Sequence, residues 1–235
     1  MRDDPIVILA GGLGTRLRPA VPTLPKALAP LGERPFLEFV LEDLARQGAR
    51  RVVLACGHRA EAITAWRASA RLPESLSVEL VRETRPLGTG GALAFARAEA
   101  GLVGPIWALN GDTWLPGGLA ALAKLARPGR SALALVNVED AGRYGRVACT
   151  PEGRVTGFTE KGESGPGLIN AGLYRLDAAA FARAPAGAFS LERDLLPKLA
   201  AAGALDGCKL DVAFVDIGVP EDYRRLCAAL APEHA

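Results

Sequence analysis

The feature that most constrains the fold is a buried-strand pattern followed at once by a glycine-rich loop. Residues 6–10 form an uninterrupted apolar run, and the segment GGLGTRLRP at residues 11–19 follows it directly. Glycines let a backbone approach a ligand closely, so that N–H groups can point at phosphate oxygens. Arg16 in the loop and Lys26 shortly after it add positive charge. The pattern predicts a strand–loop unit that holds a polyphosphate.

The spacing of this loop separates it from two common phosphate-binding loops. A P-loop requires Gly-Lys-Ser/Thr, whereas Gly14 is followed by Thr15 and Arg16. A dinucleotide-binding fingerprint has a third glycine three residues after the second, where this chain has Leu17. We therefore expect a phosphate site of another type.

Composition limits the class of protein. The chain has 235 residues, 49% of them hydrophobic, which suits one large domain with a full core. The formal net charge is +2 without a block of like charges, which argues against a nucleic-acid partner. Cys56, Cys149, Cys208 and Cys227 are far apart and the chain has only two histidines, so a zinc site is not expected. Reduced thiols, no signal-peptide pattern and no membrane-spanning run predict a cytoplasmic protein without a membrane partner.

Apolar runs alternate with helical patterns along the chain. In the first half, strands are predicted at residues 6–10, 51–55, 77–82 and 106–110, and helices from Pro35 and at 61–68 and 88–98. In the second half, strands are predicted at residues 132–138, 145–148, 154–160, 168–174 and 209–215, and helices at 177–182, 191–202 and 220–230. This order predicts an α/β fold, with a Rossmann-like, mostly parallel sheet flanked by helices and a small β-rich portion in the second half.

Two carboxylates follow predicted strands. Asp112 comes after the strand at residues 106–110, and Asp216 comes after the apolar run at 212–215. Ligands of open α/β sheets collect at the carboxyl ends of strands. Mg²⁺ typically takes one or two carboxylates and completes its shell with phosphates and water. Either aspartate alone could be a turn residue, but together with the phosphate loop they predict a Mg²⁺–nucleotide site.

A second glycine-rich turn, at residues 83–92, opens the third predicted helix. Its glycines would allow a flat ligand such as a base to approach the backbone. The alternative is that Thr89 is only the N-cap of the helix.

Other polar groups lie near strand ends in the second half. They are Arg143-Tyr144-Gly145, Glu160-Lys161 and Asn170-Ala171-Gly172. Together they offer an aromatic ring, a carboxylate, a cation and an amide, the mixture of donors and acceptors that sugar hydroxyls need. Each fragment alone could be structural.

Together these motifs resemble the sugar-1-phosphate nucleotidyltransferases, from residue 6 to about residue 223. The motifs that carry the resemblance, in order, are GGLGTRLRP at 11–19, Pro25-Lys26, Asn110-Gly111-Asp112, Glu160-Lys161, Asn170-Ala171-Gly172 and Val215-Asp216-Ile217-Gly218. Segments 35–39, 86–92, 109–113, 143–145 and 216–223 are most similar to the branch that guanylylates D-glycero-D-manno-heptose 1-phosphate. The chain departs from the family in having Ala27 where a proline often follows the motif lysine. It also lacks a C-terminal β-helix repeat.

The resemblance implies transfer of GMP from GTP to a sugar 1-phosphate in a single catalytic domain. The nucleotide-binding part would be about 1–115 and the sugar-binding part about 116–235. The implied catalytic residues are Arg16, Lys26 and Asp112. The implied nucleotide-binding residues are Leu9, Ala10, Gly11, Gly12, Leu13, Gly14, Thr15, Arg16, Lys26, Glu83, Pro86, Gly88, Thr89, Asn110 and Asp112. The implied sugar-phosphate residues are Tyr144, Gly145, Glu160, Lys161, Asn170 and Ala171, and the implied Mg²⁺ ligands are Asp112 and Asp216. The product would serve a bacterial surface glycan such as capsule or lipopolysaccharide, and a homodimer is expected.

Several alternatives stay open at this point. The specificity could be that of a mannose 1-phosphate guanylyltransferase, or of a uridylyltransferase acting on glucose or N-acetylmuramate 1-phosphate. A regulatory subunit that binds nucleotide-sugar without turnover is a different class, against which the presence of Arg16, Lys26, Asp112 and Asp216 argues. A glycosyltransferase would need an Asp-x-Asp motif, which Asn110-Gly111-Asp112 does not supply.

Overall fold

The computed structural model describes residues 4–159 and 162–230, and its centre is a seven-stranded sheet. The strands are β1 (Ile6–Leu9), β2 (Pro30–Leu31), β3 (Arg34–Pro35), β4 (Arg51–Cys56), β5 (Ser77–Arg82), β6 (Ile106–Asn110), β7 (Thr113–Trp114), β8 (Ser131–Val138), β9 (Val147–Cys149), β10 (Val155–Phe158), β11 (Gly167–Leu176), β12 (Leu205–Lys209) and β13 (Val215–Asp216). The helices are α1 (Phe36–Arg46), α2 (Ala60–Ser69), α3 (Gly88–Glu99), α4 (Gly118–Leu125), α5 (Ala178–Phe181), α6 (Leu196–Ala201) and α7 (Pro220–Leu230). A 3-10 turn lies at Lys26–Leu28 and a π-helical turn at Leu191–Leu195.

The sheet is mostly parallel, as the sequence predicts. Its strand order is β12-β8-β11-β6-β1-β4-β5. The neighbours β6, β1, β4 and β5 run parallel, β12 runs parallel to β8, and β11 is antiparallel to both β6 and β8. The carboxyl ends of β1 and β6 therefore open at the same edge, where the loop after Leu9 meets the turn after Asn110.

Helices cover both faces of the sheet because its central strands are apolar on both sides. Ile6 and Ile8 pack with α1 in one core, and Val7 packs with α3 in the other. On α1 the buried side chains include Phe36 and Leu41, at the helical spacing predicted from the sequence. This confirms the predicted fold class. No helix in the described ranges is long and apolar enough to cross a bilayer.

The predicted strand at residues 209–215 is wrong. The strand is β12, at Leu205–Lys209, and only Val215–Asp216 pairs later, in the short antiparallel pair β13–β7. The sequence pattern missed β12 because Asp206 interrupts its apolar character. Asp206 is 3% exposed and is held by ion pairs with Arg127 and Arg130. Helix α4 was also not predicted from the sequence.

Candidate active site

The loop after β1 is held in place by one buried residue. Leu17 is 1% exposed and packs into the core. The amides of Leu17 and Arg18 both donate to the carbonyl of Gly14 at 3.1 Å, and Gly14 has a φ of +62°, which favours glycine. Arg16 is exposed immediately beside this anchor. The turn therefore presents its guanidinium from a fixed position.

Consecutive backbone amides in this loop point away from protein acceptors. Within the ranges 4–159 and 162–230, none of the amides of residues 11–16 donates a hydrogen bond to the protein. By contrast, the preceding amide, that of Ala10, still bonds to Ala55 of β4 at 2.9 Å. A run of unpaired amides is a concavity suited to an anion. This arrangement fits the polyphosphate site predicted from the sequence.

Lys26 reaches the same place from the 3-10 turn. The turn is fixed by the buried Ala27 and Leu28. A Cβ on Gly14 would lie 2.8 Å from Cγ of Lys26, so glycine at this position lets the lysine side chain pack against the loop. The Lys26 ammonium forms an ion pair with Asp112. The structure therefore brings the loop, the lysine and the first carboxylate together.

Asp112 and Asp216 converge across the pair β7–β13. Asp216 lies opposite Thr113, and the amide of Ile217 donates to the carbonyl of Asp112 at 3.0 Å. A Cβ on Gly218 would lie 2.7 Å from Oδ1 of Asp216 and 3.3 Å from Oδ2 of Asp112. Any side chain here would thus fill the space where the two carboxylates approach each other.

Arg16 completes this cluster, since its guanidinium lies 3.6 Å from the same point. Burial raises the pKa of Asp216, and the charge of Asp112 raises it further. The amide of Gly218, 2.6 Å from Oδ1, and the charges of Lys26 and Arg16 act in the opposite direction. Because the pKa is raised on balance, the ionised Asp216 is costly in this position and is favoured by an added cation.

The donor set of this cluster fits a hard cation. In the described part of the chain there is no group of three or more His, Cys, Asp or Glu side chains that could hold a metal. Among the described residues, the candidate metal ligands beside Gly218 are therefore the two carboxylates of Asp112 and Asp216. Mg²⁺ is typically held by one or two carboxylates, with phosphates and water as its remaining ligands.

Glu83 is wedged between two glycines beside the loop. A Cβ on Gly57 would lie 2.2 Å, and a Cβ on Gly11 3.1 Å, from Oε1 of Glu83. The other oxygen, Oε2, accepts the amide of Leu87 at 3.2 Å. Burial raises the pKa of Glu83, and the Leu87 hydrogen bond opposes that shift. A single carboxylate orientation is thus held against the glycine loop.

The glycines at the start of α3 have a packing role. A Cβ on Gly88 would lie 2.5 Å from the carbonyl oxygen of Phe189, and one on Gly90 would lie 2.1 Å from its ring. The same carbonyl accepts the amides of Gly90 and Gly91 at 3.0 and 3.2 Å. Thr89 is not the N-cap, since α3 begins after Leu87. The Phe189 segment therefore closes over this turn.

A cavity of about 600 Å³ runs from the glycine loop to Asp112. It is lined by Leu9, Gly11, Gly12, Leu13, Lys26, Gly57, His58, Arg82, Glu83, Thr84, Arg85, Pro86, Gly88, Thr89, Ala92, Asn110, Gly111, Asp112 and Glu192. Most of the residues named from the sequence as nucleotide-binding line it. Arg82, His58 and Glu192 were missed, because no local motif marks them. Ala10 is instead buried in the core, at 5% exposure. Gly14, Thr15 and Arg16 also lie outside this lining, and Thr15 and Arg16 are exposed.

Asn170 lies in a bulge of β11 that faces Asn110. Its Oδ1 accepts the amide of Gly172 at 2.8 Å, and its Nδ2 donates to the hydroxyl of Tyr174 at 2.9 Å. Gly172 has a φ of +74°, and a Cβ there would lie 2.8 Å from Nδ2 of Asn110. Ala171 is 1% exposed and belongs to the core, so only its backbone can approach a ligand.

Tyr144 lines a second cavity, of about 650 Å³, which also includes Asp216. Its hydroxyl accepts from Arg143 at 2.9 Å, and Arg143 forms an ion pair with Asp222 of α7. Its ring packs edge-on against Phe214, with centroids 5.6 Å apart. Burial raises the pKa of Tyr144 to about 12, and the charge of Asp216 contributes. Tyr144 is thus a neutral hydroxyl near the second carboxylate.

Gly145 is buried with a φ of +76°, and its amide donates to the carbonyl of Ala141 at 3.1 Å. The predicted sugar-phosphate residues Glu160 and Lys161 lie outside the described residues.

Comparison with known proteins shows the family to which the chain belongs. Residues 6–233 match the family model described as nucleotidyl transferase. The chain is 39% identical over 222 residues to the D-glycero-alpha-D-manno-heptose 1-phosphate guanylyltransferase of Campylobacter jejuni, covering 92% of this chain and 96% of that protein. It is 35% identical over 246 residues to the mannose-1-phosphate guanylyltransferase of Mycobacterium tuberculosis, covering 97% of this chain and 66% of that protein.

A solved structure is similar along nearly the whole chain. It is the crystal structure of HddC from Yersinia pseudotuberculosis complexed with GMP-PN, with a TM-score of 0.86 and 32% identity. The match covers 96% of this chain and 99% of that one.

Proposed function

The chain belongs to the nucleotidyl transferase family, and from that premise we propose that it transfers GMP from GTP to D-glycero-α-D-manno-heptose 1-phosphate. The products are GDP-heptose and pyrophosphate. One observation carries the proposal: Arg16, Asp112 and Asp216 converge on Gly218 at the end of a loop with unpaired amides. The choice of sugar is supported by the likeness to the Campylobacter jejuni enzyme over 92% of this chain.

The reaction needs positioning and charge neutralisation and no covalent intermediate. An oxygen of the sugar 1-phosphate attacks the α-phosphorus of GTP, the bond to the bridging oxygen breaks, and pyrophosphate leaves with the electron pair. The amides of residues 11–16 bind phosphate oxygens, and Arg16 offers a fork-shaped donor to the leaving phosphates. Lys26, which lies at Asp112, contacts the α-phosphate.

Asp112 and Asp216 are the proposed ligands of Mg²⁺. Their oxygens approach one point, and the raised pKa of Asp216 supports a site that favours added positive charge. When bound there, Mg²⁺ supplies charge neutralisation for the reacting phosphates. The amide of Gly218 keeps Asp216 oriented toward that position.

Guanine is selected, in this proposal, by the carboxylate of Glu83. Guanine offers N1–H and N2–H donors on one edge, and an ionised carboxylate only accepts. Glu83 lines the cavity with one oxygen committed to Leu87 and the other lying between Gly11 and Gly57. Adenine and the pyrimidine bases do not present two adjacent donors in this way.

The sugar moiety is proposed to lie toward the second half of the chain. Tyr144 lines a cavity together with Asp216 and is followed by Gly145, and with Asn170 they are the proposed sugar-pocket residues, to which Ala171 would contribute only its backbone. Glu160 and Lys161 are proposed to bind a sugar hydroxyl and the sugar phosphate, as the family resemblance implies. The division into a nucleotide-binding part, about 1–115, and a sugar-binding part, about 116–235, remains part of this proposal. The proposal also includes a cytoplasmic location, a homodimer and a surface glycan as the destination of the product.

The proposal is tested by pyrophosphate release with Mg²⁺, crossing GTP, ATP, UTP, CTP and dTTP with heptose, mannose and glucose 1-phosphates. We expect release to be fastest with GTP and the heptose phosphate. A preference for mannose 1-phosphate would assign the activity of the Mycobacterium tuberculosis relative instead. Tight nucleotide binding with no release from any pair would favour a regulatory subunit.

The role of Glu83 is tested by Glu83→Gln. The amide replaces one acceptor by a donor, so kcat/KM for GTP is expected to fall roughly 10- to 100-fold, the range for hydrogen bonds to a charged group. The matched control is Glu79→Gln on β5, the strand that ends just before Glu83, where the carboxylate pairs with Arg51 outside the cavity lining. If Glu83→Gln and Glu79→Gln prefer GTP over the other nucleotides to the same degree, Glu83 does not take part in base recognition.

A further inference from the structure

A carboxylate that the proposed mechanism does not use, Glu192, lines the nucleotide cavity. It lies in the π-helical turn Leu191–Leu195, directly before α6. Ser190 caps this turn, and its hydroxyl accepts the amide of Arg193 at 3.2 Å. Single π-helical turns are rare and occur frequently at functional sites. The turn places an acidic side chain at the cavity wall.

The carboxylate is held from one side by two hydroxyl groups. Its Oε2 accepts from Thr89 at 2.7 Å and from Ser190 at 3.0 Å. The Thr89 hydroxyl itself accepts the amide of Leu191 at 2.8 Å, so Thr89 is fixed by the same turn. Across the described ranges, every hydrogen bond to this carboxylate goes to Oε2. Oε1 keeps its acceptor capacity among the described residues, on a side chain that lines the cavity.

Glu192 lines the same cavity as Asn110 and Asp112. Tyr174 is fully buried, and its pKa is raised by burial and then by the charge of Glu192, which is therefore close. The Tyr174 hydroxyl meets Asn170 and Asn110. Oδ1 of Asn110 is buried and, within the described residues, has no hydrogen-bond partner. Glu192 thus supplies a carboxylate to the same cavity that Asn110 lines.

The Glu192 carboxylate accepts hydrogen bonds and donates none, which suits one class of ligand group. Phosphate oxygens are negatively charged and are repelled by a carboxylate, so the triphosphate lies on the side of the glycine loop and Arg16. Ring hydroxyls are neutral donors and suit an oriented carboxylate oxygen. In a reaction that joins a nucleotide to a sugar, such hydroxyls occur on the ribose and on the transferred sugar.

Resting on the proposed function, we propose that Glu192 binds a sugar-ring hydroxyl of a substrate through Oε1. The contact is direct, so Glu192 is a specificity-determining residue for a ring that carries that hydroxyl. Ribose and the sugar phosphate are the two sources of such a hydroxyl, and substrate analogues distinguish them.

The test measures kcat/KM of wild type, Glu192→Gln and Glu192→Ala with GTP, 2′-deoxyGTP and 3′-deoxyGTP, and with sugar 1-phosphates lacking single hydroxyls. With intact substrates, Glu192→Ala is expected to lose roughly 10- to 100-fold, the range for a hydrogen bond to a charged group. With the analogue that lacks the bound hydroxyl, wild type and variant should become nearly equal. If wild type and variant become equal in kcat/KM with a deoxynucleotide, Glu192 binds the ribose. If they become equal with a deoxysugar phosphate, Glu192 binds the transferred sugar.

Two further variants exclude a purely structural role. Asp194→Asn changes a carboxylate of the same turn, one that accepts the amide of Ser190 at 2.6 Å and is not part of the cavity lining. We expect it to alter thermal stability and leave the discrimination between substrates and deoxy analogues unchanged. Thr89→Val removes one tether, and it should weaken that discrimination less than Glu192→Ala does. An equal loss with every substrate, or no loss with any, would overturn the inference.

The failure of the proposed function would be recognised separately. If the wild-type protein releases no pyrophosphate with any pair, the guanylyl-transfer proposal fails. Calorimetric affinities of wild type and Glu192→Gln for GTP and its two deoxy analogues, and for the sugar phosphate and its deoxy analogues, then test Glu192 without turnover. If wild type and Glu192→Gln have the same ratio of affinities for every substrate and its deoxy analogues, Glu192 does not make the proposed contact.

Discussion

Gly90→Ala tests whether the glycine turn that opens α3 is required by packing. A Cβ at this position would lie 2.1 Å from Cε2 and 2.4 Å from Cδ2 of Phe189, far inside the shortest separation that real Cβ atoms show. Phe189 is 6% exposed, and its carbonyl accepts the amides of Gly90 and Gly91. The ring therefore cannot move away without disturbing the segment that closes over the turn.

The expected loss of stability follows from two opposing effects. Overpacking a close-packed site costs about 1–3 kcal/mol, and a contact this short belongs at the upper end. Replacing glycine by alanine in a helix recovers up to about 1 kcal/mol. A net loss of roughly 1–2 kcal/mol is expected, which for a domain of this size lowers Tm by about 2–8 °C.

Thermal unfolding followed by circular dichroism measures this effect, and the chain offers a control and a double mutant. Gly157→Ala is the control, since no atom lies within 4 Å of the position that its Cβ would occupy and its φ is not positive. Phe189→Ala alone should cost about 3–5 kcal/mol. In that background Gly90→Ala should be neutral or stabilising. The packing explanation is wrong if Gly90→Ala costs the same in both backgrounds, or if it abolishes GTP binding without lowering Tm.

Two further predictions concern the charged cluster. Arg16→Ala should reduce kcat for pyrophosphate release about 100-fold or more, the scale for one charge-stabilising donor. Arg18 is also exposed, and the control Arg18→Ala should keep kcat within a few-fold of wild type. Near-normal turnover of Arg16→Ala would contradict the role of Arg16. Asp216→Asn should lose activity and gain stability. Because the folded pKa of Asp216 is raised above 3.8, the folded protein binds its proton more readily, and stability declines as pH rises through the folded pKa. Asp216→Asn should therefore raise Tm at pH 7 without metal, by about 2–4 °C per kcal/mol recovered, and remove this pH dependence. A lower Tm would refute the assignment.

The alternation of strands and helices in the first half could be predicted because each element carries its own signal. Strands such as β4 and β6 are continuous apolar runs buried on both faces, and α1 has an apolar stripe at helical spacing. The position of β12 could not be predicted, because Asp206 is compatible with a buried strand only through guanidinium groups supplied by other segments. Local patterns do not report such long-range compensation.

The candidate site divides in the same way. Arg16, Lys26 and Asp112 stand next to strand ends and glycine turns, and these local patterns indicate phosphate and metal chemistry. Glu192 has no local signal of this kind, since its partner Thr89 is 103 positions away in the chain. The glycines of the second turn were interpreted as room for a base, whereas Gly90 is filled by the ring of Phe189. A glycine in a sequence shows that space is needed but not which group occupies it.

The placement of Asp216 explains why stability and activity should respond in opposite directions. An ionised carboxylate that is partly buried near Asp112 is unfavourable, yet the fold holds it there through the β7–β13 pair and the amide of Gly218. Gly218 is needed because any Cβ would occupy the space between the two carboxylates. Lys26 and Arg16 offset part of the unfavourable free energy of holding like charges together, and positive charge that binds between the carboxylates offsets more of it. A side chain that is uncharged at this position relieves the repulsion and, for the same reason, removes the binding site.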